Sequence, residues 1–334
     1  MNNILEVRGL SVGIRDGKKT YGVVDSIDFE VHSGEILGIV GESGCGKTVT
    51  VLSILGLTGE GVNPTGGQVF FEGRDLLAMR EEEKQKILGD EISIIYQEPM
   101  SSLNPLLKIG RQVGEPLRIH TKKTDEEIRA QVLRLLADVD LKNPEKVYDS
   151  YPHELSGGMR QRVMLAMAGI SAPKILVCDE PTTALDVTTQ AEVLELIRKW
   201  NRQFGTSVIF ISHDLAVINK LCDRVIVMYA GKIAECGKTE TIIGRPGHPY
   251  TQGLIASIPT MRQKGQPLSC IPGRVPSVTD RKDPCPFAPR CGICTEECRQ
   301  QVPPHITMPE EGHEVYCHHA LRGADPVPGG EQGA

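Results

Sequence analysis

Residues 35–48 constrain the fold more than any other stretch of the chain. Glu35-Ile-Leu-Gly-Ile-Val40 is a short apolar run bounded by Gly34 and Gly41, the pattern of a buried parallel strand. Gly41-Glu-Ser-Gly-Cys-Gly46-Lys47-Thr48 follows at once, and the helix-compatible VTVLSILGL comes next. Strand, G-x-x-x-x-G-K-[ST] and helix in that order make a phosphate-binding P-loop. Gly41, Gly44 and Gly46 let successive N–H groups, those of Ser43 and Cys45 among them, turn toward a phosphate chain. The helix N-terminus adds partial positive charge. Lys47 is placed to neutralise the β and γ phosphates and the Thr48 hydroxyl to ligate Mg²⁺. An α/β fold with a parallel core strand follows.

A P-loop needs a second carboxylate for its metal, and Lys174-Ile-Leu-Val-Cys-Asp179-Glu180 supplies one. At the end of a buried strand Asp179 reaches the Mg²⁺ shell, while Glu180 projects toward an attacking water as general base or water-positioner. Leu155-Ser156-Gly157-Gly158-Met159-Arg160-Gln161 precedes a helix-compatible segment, RVMLAMAGI. Ser156 is a good N-cap, and Gly157 and Gly158 bare the first-turn N–H groups, giving a second anion-binding helix terminus. One chain therefore carries two phosphate-binding devices.

At 334 residues the chain has room for about two domains. With 37 Lys and Arg against 43 Asp and Glu, its net charge of −6 argues against a nucleic-acid surface. Its apolar runs, such as 36–40 and 175–178, fall far short of the roughly 20 residues of a membrane span. The N-terminal MNNILEVRGL lacks the basic head and apolar core of a secretory signal, so a cytosolic address is expected. Six of the 10 cysteines crowd into positions 270, 285, 291, 294, 298 and 317, and more than half of the 22 prolines lie from Pro259 onward. In a reducing compartment such a cluster reads first as metal-binding or catalytic. A boundary between residues 235 and 260 is expected, with a disordered tail at the end. Cys45, beside Lys47 and a helix N-terminus, is expected to be a more reactive thiol than the strand residue Cys178.

With its LSGGM segment shortly ahead of Asp179-Glu180, the sequence resembles the ATP-binding cassette family, whose hallmark is LSGGQ; Met159 replaces the Gln. The resemblance implies a head-to-tail dimer, in which the signature of one subunit, here Ser156, Gly157 and Gly158, caps the phosphate held by the P-loop of the other. It further implies that Gln97, after Ile94-Ile-Tyr, is the Q-loop residue touching Mg²⁺ or water. Ala184-Leu185-Asp186 resembles the D-loop at the dimer interface, and His213, after Ser207-Val-Ile-Phe-Ile-Ser, the switch histidine at the γ-phosphate. Tyr21 is the aromatic nearest the position that stacks on adenine.

The expected architecture is a mixed sheet with an antiparallel β subdomain (Ile4 to Ile14, Ser26 to Val31 and Gly67 to Phe71 as strands) and a helical signature subdomain at about 98–170. Thr124-Asp-Glu-Glu127 is a capping box that opens a helix with Ile128, Val132, Leu135, Leu136 and Val139 along one face, a stripe read as core. Residues 97–107 are read as the groove that docks the membrane subunit. The nucleotide-binding domain is expected at 1–258, a small irregular Cys- and Pro-rich domain at 259–322 and the tail at 323–334.

Gly244-Arg-Pro-Gly-His248-Pro-Tyr250-Thr-Gln-Gly-Leu254, Ile271-Pro-Gly-Arg-Val-Pro276 and Cys285-Pro-Phe-Ala-Pro-Arg290-Cys291 resemble the C-terminal region of oligopeptide and dipeptide permease ATPases. The resemblance implies a D-type subunit paired with an F-type ATPase paralogue, two membrane permease subunits and an extracytoplasmic solute-binding protein, with this chain peripheral on the cytoplasmic face and no nucleic-acid partner. An importer of nickel, metal chelates or other small solutes is the alternative, and a soluble cassette ATPase acting on DNA or ribosomes a more distant one. Four thiolates at Cys285, Cys291, Cys298 and Cys317 can enclose an iron–sulfur cluster or a Zn²⁺ ion. The resemblance favours a [4Fe–4S] cluster, with Cys294 and Cys270 outside it. Zinc, through Cys291, Cys294, Cys298 and Cys317 or His318, and free structural thiols stay open beside it.

Overall fold

The structure is a computed structural model that describes residues 2–97, 102–183, 185–258 and 270–321. The tail expected at 323–334 lies outside the described residues, as do Ala184 and positions 98–101 of the expected docking groove. The chain forms two compact units: Met1–Ile4, Val31–Ile36 and Ala78–Ile211 in the first, Leu5–Glu30, Leu37–Leu77 and Ser212–Ala334 in the second.

In the second unit β1 (Asn3–Asp16), β2 (Lys19–His32), β4 (Val62–Phe71) and β5 (Arg74–Asp75) make an antiparallel sheet in the order β2-β1-β4-β5. These strands run longer than their apolar alternation indicated, because their ends carry exposed polar residues. The P-loop strand β3 (Ile36–Val40) pairs in parallel with β9 (Arg224–Tyr229), Leu37 opposite Arg224 and Val40 opposite Val227. All of β3 is buried, which accounts for its unbroken apolar sequence. β10 (Lys232–Lys238) returns antiparallel on β9. Beyond it lie β12 (Glu314–Tyr316) and β11 (His305–Thr307), with Glu235 opposite Val315 and His305 opposite Tyr316. Part of the segment read as irregular thus extends a sheet, in strands of three residues that leave no periodicity to detect. Met308, Val315 and Cys317 bury a small apolar cluster behind them. Two helices of this unit bear on the site: α1 (Lys47–Leu55) follows the P-loop, and Pro249–Ala256 follows β10.

In the first unit β6 (Ile92–Ile95), β7 (Ile175–Asp179) and β8 (Ser207–Ser212) run parallel, with Ile175 opposite both Ile92 and Ser207. After α2 (Glu81–Ile87) come α3 (Ile109–Val113), α4 (Glu115–His120), α5 (Asp125–Asp138), α6 (Pro144–Asp149), α7 (Gly157–Gly169) and α8 (Val187–Phe204). The expected capping box opens α5: Thr124 Oγ1 accepts from the Glu127 N–H at 3.3 Å, and Glu127 Oε2 from the Thr124 N–H at 2.7 Å. Ile128, Val132, Leu136 and Val139 are fully buried where α5 packs on α6 and α7, so the stripe is core. Among the described residues no helix is long and apolar enough to cross a membrane.

Candidate functional site

In the second unit the P-loop joins β3 to α1. A side chain at Gly41 would meet the Met228 carbonyl at 2.2 Å, and Gly46, the N-cap of α1, sits at φ 109°, a conformation that favours glycine. At Gly44 a side chain would meet nothing within 4 Å, so this side of the loop is open. Lys47 is buried, its Nζ donating to the carbonyls of Gly41 at 2.8 Å and Glu42 at 3.2 Å. Residues 44–48 thus offer an open backbone cradle with an ammonium beside it, a donor set that fits a phosphate chain. Thr48 stands in the first turn of α1. Cys45 is fully buried, and burial raises its thiol pKa while Lys47 pulls it back. The expected contrast with Cys178 is therefore one of degree: Cys178 is equally buried, and its thiol is pushed much higher. Tyr21 lies half-buried on β2, and His213 stands exposed just after β8.

Sequence reading missed the residues that hold this loop from behind. Glu42 Oε2 and Oε1 accept a fork from Arg290 Nη1 and Nη2 at 2.6 and 3.0 Å, and the Glu42 N–H donates to Tyr250 Oη at 2.9 Å. The Arg290 side chain is only 4% exposed; burial works against its charge, yet the bonds to Glu42 and Tyr229 raise its pKa.

In the first unit Asp179 ends β7 and is buried, while Glu180 leaves the strand at φ 45°. That left-handed conformation is strained for a residue with a Cβ, and the Glu180 N–H bond to the Ile211 carbonyl at 3.1 Å holds it. Two donors converge on the Glu180 carboxylate: Gln97 Nε2 at 3.2 Å and Thr183 Oγ1 at 3.0 Å, both to Oε2. Gln97 and Glu180, far apart in sequence, are thus brought together. Ser156 caps α7 as expected, its Oγ accepting from the Met159 N–H at 3.3 Å, and Gly157 is exposed with open space where a side chain would be. Gly158 faces Thr189, whose Cγ2 would lie 3.1 Å from an added Cβ. Asp186 acts locally as the cap of α8, accepting from the N–H groups of Thr188 and Thr189 at 3.0 Å each, and the Thr189 amide lowers its pKa. The Asp-x-Thr-Thr sequence is itself a capping signal.

The metal centre expected at Cys285, Cys291, Cys298 and Cys317 is not formed. Among the described residues no three Cys, His, Asp or Glu side chains converge closely enough to share an ion, and no cysteine is in a disulfide. The thiols are engaged otherwise: Cys317 Sγ accepts from the His319 N–H at 3.3 Å, and Cys298 Sγ lies 3.6 Å from Thr295 Oγ1. Burial pushes the Cys291 thiol up to about 11 and the Cys317 thiol up to about 12. Neither the [4Fe–4S] cluster nor the zinc alternative, with Cys294 or His318, fits this arrangement.

Comparison with known proteins shows the family. Residues 24–183 match the family model described as ABC transporter, and residues 234–298 that described as oligopeptide/dipeptide transporter, C-terminal region. A probable peptide ABC transporter ATP-binding protein of Sinorhizobium fredii is 44% identical over 94% of both chains. The oligopeptide transport ATP-binding protein OppD of Haemophilus influenzae is 41% identical over 95% of this chain and 97% of its own. The dipeptide transport ATP-binding protein DppD of Bacillus subtilis is 43% identical over 95% of each. Among solved structures, the ATP-binding cassette MJ0796, a dimer in a post-hydrolysis state bound to ADP and Pi, superposes with a TM-score of 0.64 at 27% identity, covering 70% of this chain and 98% of that one. The chain belongs to the ABC transporter ATP-binding family and carries the C-terminal region of its oligopeptide/dipeptide branch.

Proposed function

We propose that this chain is the ATP-hydrolysing subunit of an importer of di- and oligopeptides. In this reading it is peripheral on the cytoplasmic face of the membrane, bound to two permease subunits and served by an extracytoplasmic peptide-binding protein. The observation that carries it is the near-full-length likeness to OppD and DppD, with the C-terminal region included. Its immediate partner is an F-type ATPase paralogue, and Met159 in the signature marks the D-type branch. Residues 1–258 form the nucleotide-binding domain, with the helical subdomain at about 98–170, and 259–322 the Cys- and Pro-rich C-terminal region.

The residues divide the work of phosphoryl transfer to water, which demands mainly positioning and charge balance. The Gly41–Thr48 loop, with the amides of Ser43, Gly44, Cys45 and Gly46, receives the phosphates of ATP, and Lys47 balances their charge. Tyr21 stacks on the adenine. Thr48, Asp179 and Gln97 would hold Mg²⁺, which when bound would neutralise the phosphate oxygens. Glu180, oriented by Gln97 and Thr183, takes the proton of the attacking water, and His213 contacts the γ-phosphate. Ser156, Gly157 and Gly158 act on the nucleotide of the opposing subunit, with Asp186 beside that interface. Residues 97–107 form the docking groove, in which Leu106 is 83% exposed.

ATPase measurements on the assembled complex test the substrate class. Hydrolysis rises when the binding protein is loaded with a dipeptide or oligopeptide. Stimulation by a nickel chelate and none by peptide contradicts the reading.

A further inference from the structure

The P-loop of this chain is gripped by Tyr250, near the end of the nucleotide-binding domain, and by Arg290 of the C-terminal region. Glu42 sits between Gly41 and Ser43 in a loop rich in glycine, where little besides its own side chain can be held. Arg290 holds that carboxylate with both arms of its guanidinium, which fixes orientation as well as distance. The arginine is itself fixed: its Nε donates to the Pro272 carbonyl at 2.7 Å, its Nη2 to the Ile271 carbonyl at 3.2 Å and its Nη1 to Tyr229 Oη at 3.3 Å. Tyr250, fully buried, accepts the Glu42 N–H and so settles which way that peptide unit faces. Tyr229, Tyr250 and Phe287 pack as a rigid aromatic floor, with ring centroids 4.7, 5.2 and 5.4 Å apart. A second arginine from the same region, Arg281, donates through Nη1 to the carbonyls of Gly22 and Val23 at 3.1 Å each, next to Tyr21.

We propose that Arg290 and Tyr250 are positioning residues for the P-loop, holding through Glu42 the backbone that receives the phosphates of ATP. The C-terminal region is then part of the nucleotide site's scaffold, and a change at Arg290 reaches ATP affinity through Glu42. This rests on the reading of residues 41–48 as the ATP site.

The test is a titration of the full chain with a fluorescent trinitrophenyl ATP analogue and Mg²⁺, alongside thermal melting without nucleotide. Arg290→Lys keeps the charge and loses the fork; Glu42→Gln keeps the shape and loses the charge. Each raises the Kd by about five- to tenfold, the scale of one net hydrogen bond. The double variant is no weaker than the poorer single one, because the two changes break one interaction. In the assembled transporter the loss falls on KM for ATP and not on kcat. Tyr250→Phe gives a smaller rise in Kd with the fold intact, which keeps the test available if Arg290→Lys fails to fold. Unchanged affinity in variants that only melt earlier overturns the proposal, as do single losses that multiply in the double variant. Lys47→Ala separates the two readings: if it too leaves the Kd unchanged, the ATP site itself is misassigned.

Discussion

Glu180 shows how much of the chemistry rests on one residue's backbone. Its left-handed φ of 45° turns the carboxylate off the end of β7 to where Gln97 and Thr183 can bond it. No sequence pattern signals that conformation, since left-handed backbone is ordinarily announced by glycine or asparagine. The acid pair after an apolar run was legible, but its strain and its partners were not. The Arg290–Glu42 fork escaped notice for a related reason: 248 positions separate the two residues, and the motifs that contain them carry no sign of their pairing. Asp186 is the reverse case, a cap that its Thr188 and Thr189 neighbours announce. Glu180→Gln should bind ATP normally and hydrolyse it about 10²- to 10⁴-fold more slowly, the usual loss for a positioned base. Single-turnover hydrolysis with a parallel nucleotide titration checks this, and near-normal turnover removes Glu180 from its role.

At the scale of elements, the P-loop strand and helix, β7 and the α5 capping box were readable because each is set by local rules: an apolar run, required glycines, a reciprocal cap. The β11–β12 hairpin was not, because its pairing with β10 depends on a buried network instead of a repeat. Glu235 of β10 anchors it, accepting from His313 Nε2 at 2.7 Å and from the N–H groups of Gly247 and His248 at 2.6 and 3.0 Å. His248 in turn caps the helix Pro249–Ala256, its Nδ1 accepting from the Tyr250 N–H at 3.0 Å. An accepting nitrogen must be unprotonated, and burial, with Glu235 pulling the other way, lowers the His248 pKa to about 4. In the unfolded chain a histidine titrates near 6.5, so between about 6.5 and 4 the unfolded state binds the extra proton. This contribution is complete above pH 6.5 and is lost as pH falls toward 4, by on the order of 3 kcal/mol in all. His248→Asn keeps a capping oxygen without a titrating group. Its melting temperature should therefore fall less than the native protein's between pH 6.5 and 4, and parallel curves contradict the assignment.

For the whole molecule, the P-loop and the LSGGM segment, both read as phosphate-binding devices, belong to different compact units. In a head-to-tail dimer each nucleotide needs the P-loop of one subunit and Ser156, Gly157 and Gly158 of the other. On that proposed assembly the isolated chain is expected to be a weak ATPase, and a steady-state ATPase assay should show its rate per subunit climbing on assembly with its partners. The central claim, that ATP spent by this chain drives peptide import, is tested most directly by uptake of a radiolabelled dipeptide into proteoliposomes holding the complete transporter, with binding protein and Mg-ATP on their proper sides. Uptake should require ATP and fall to background when Lys47→Ala replaces the native chain, with assembly of the complex unchanged. Dipeptide uptake that continues at the native rate with Lys47→Ala would contradict the account.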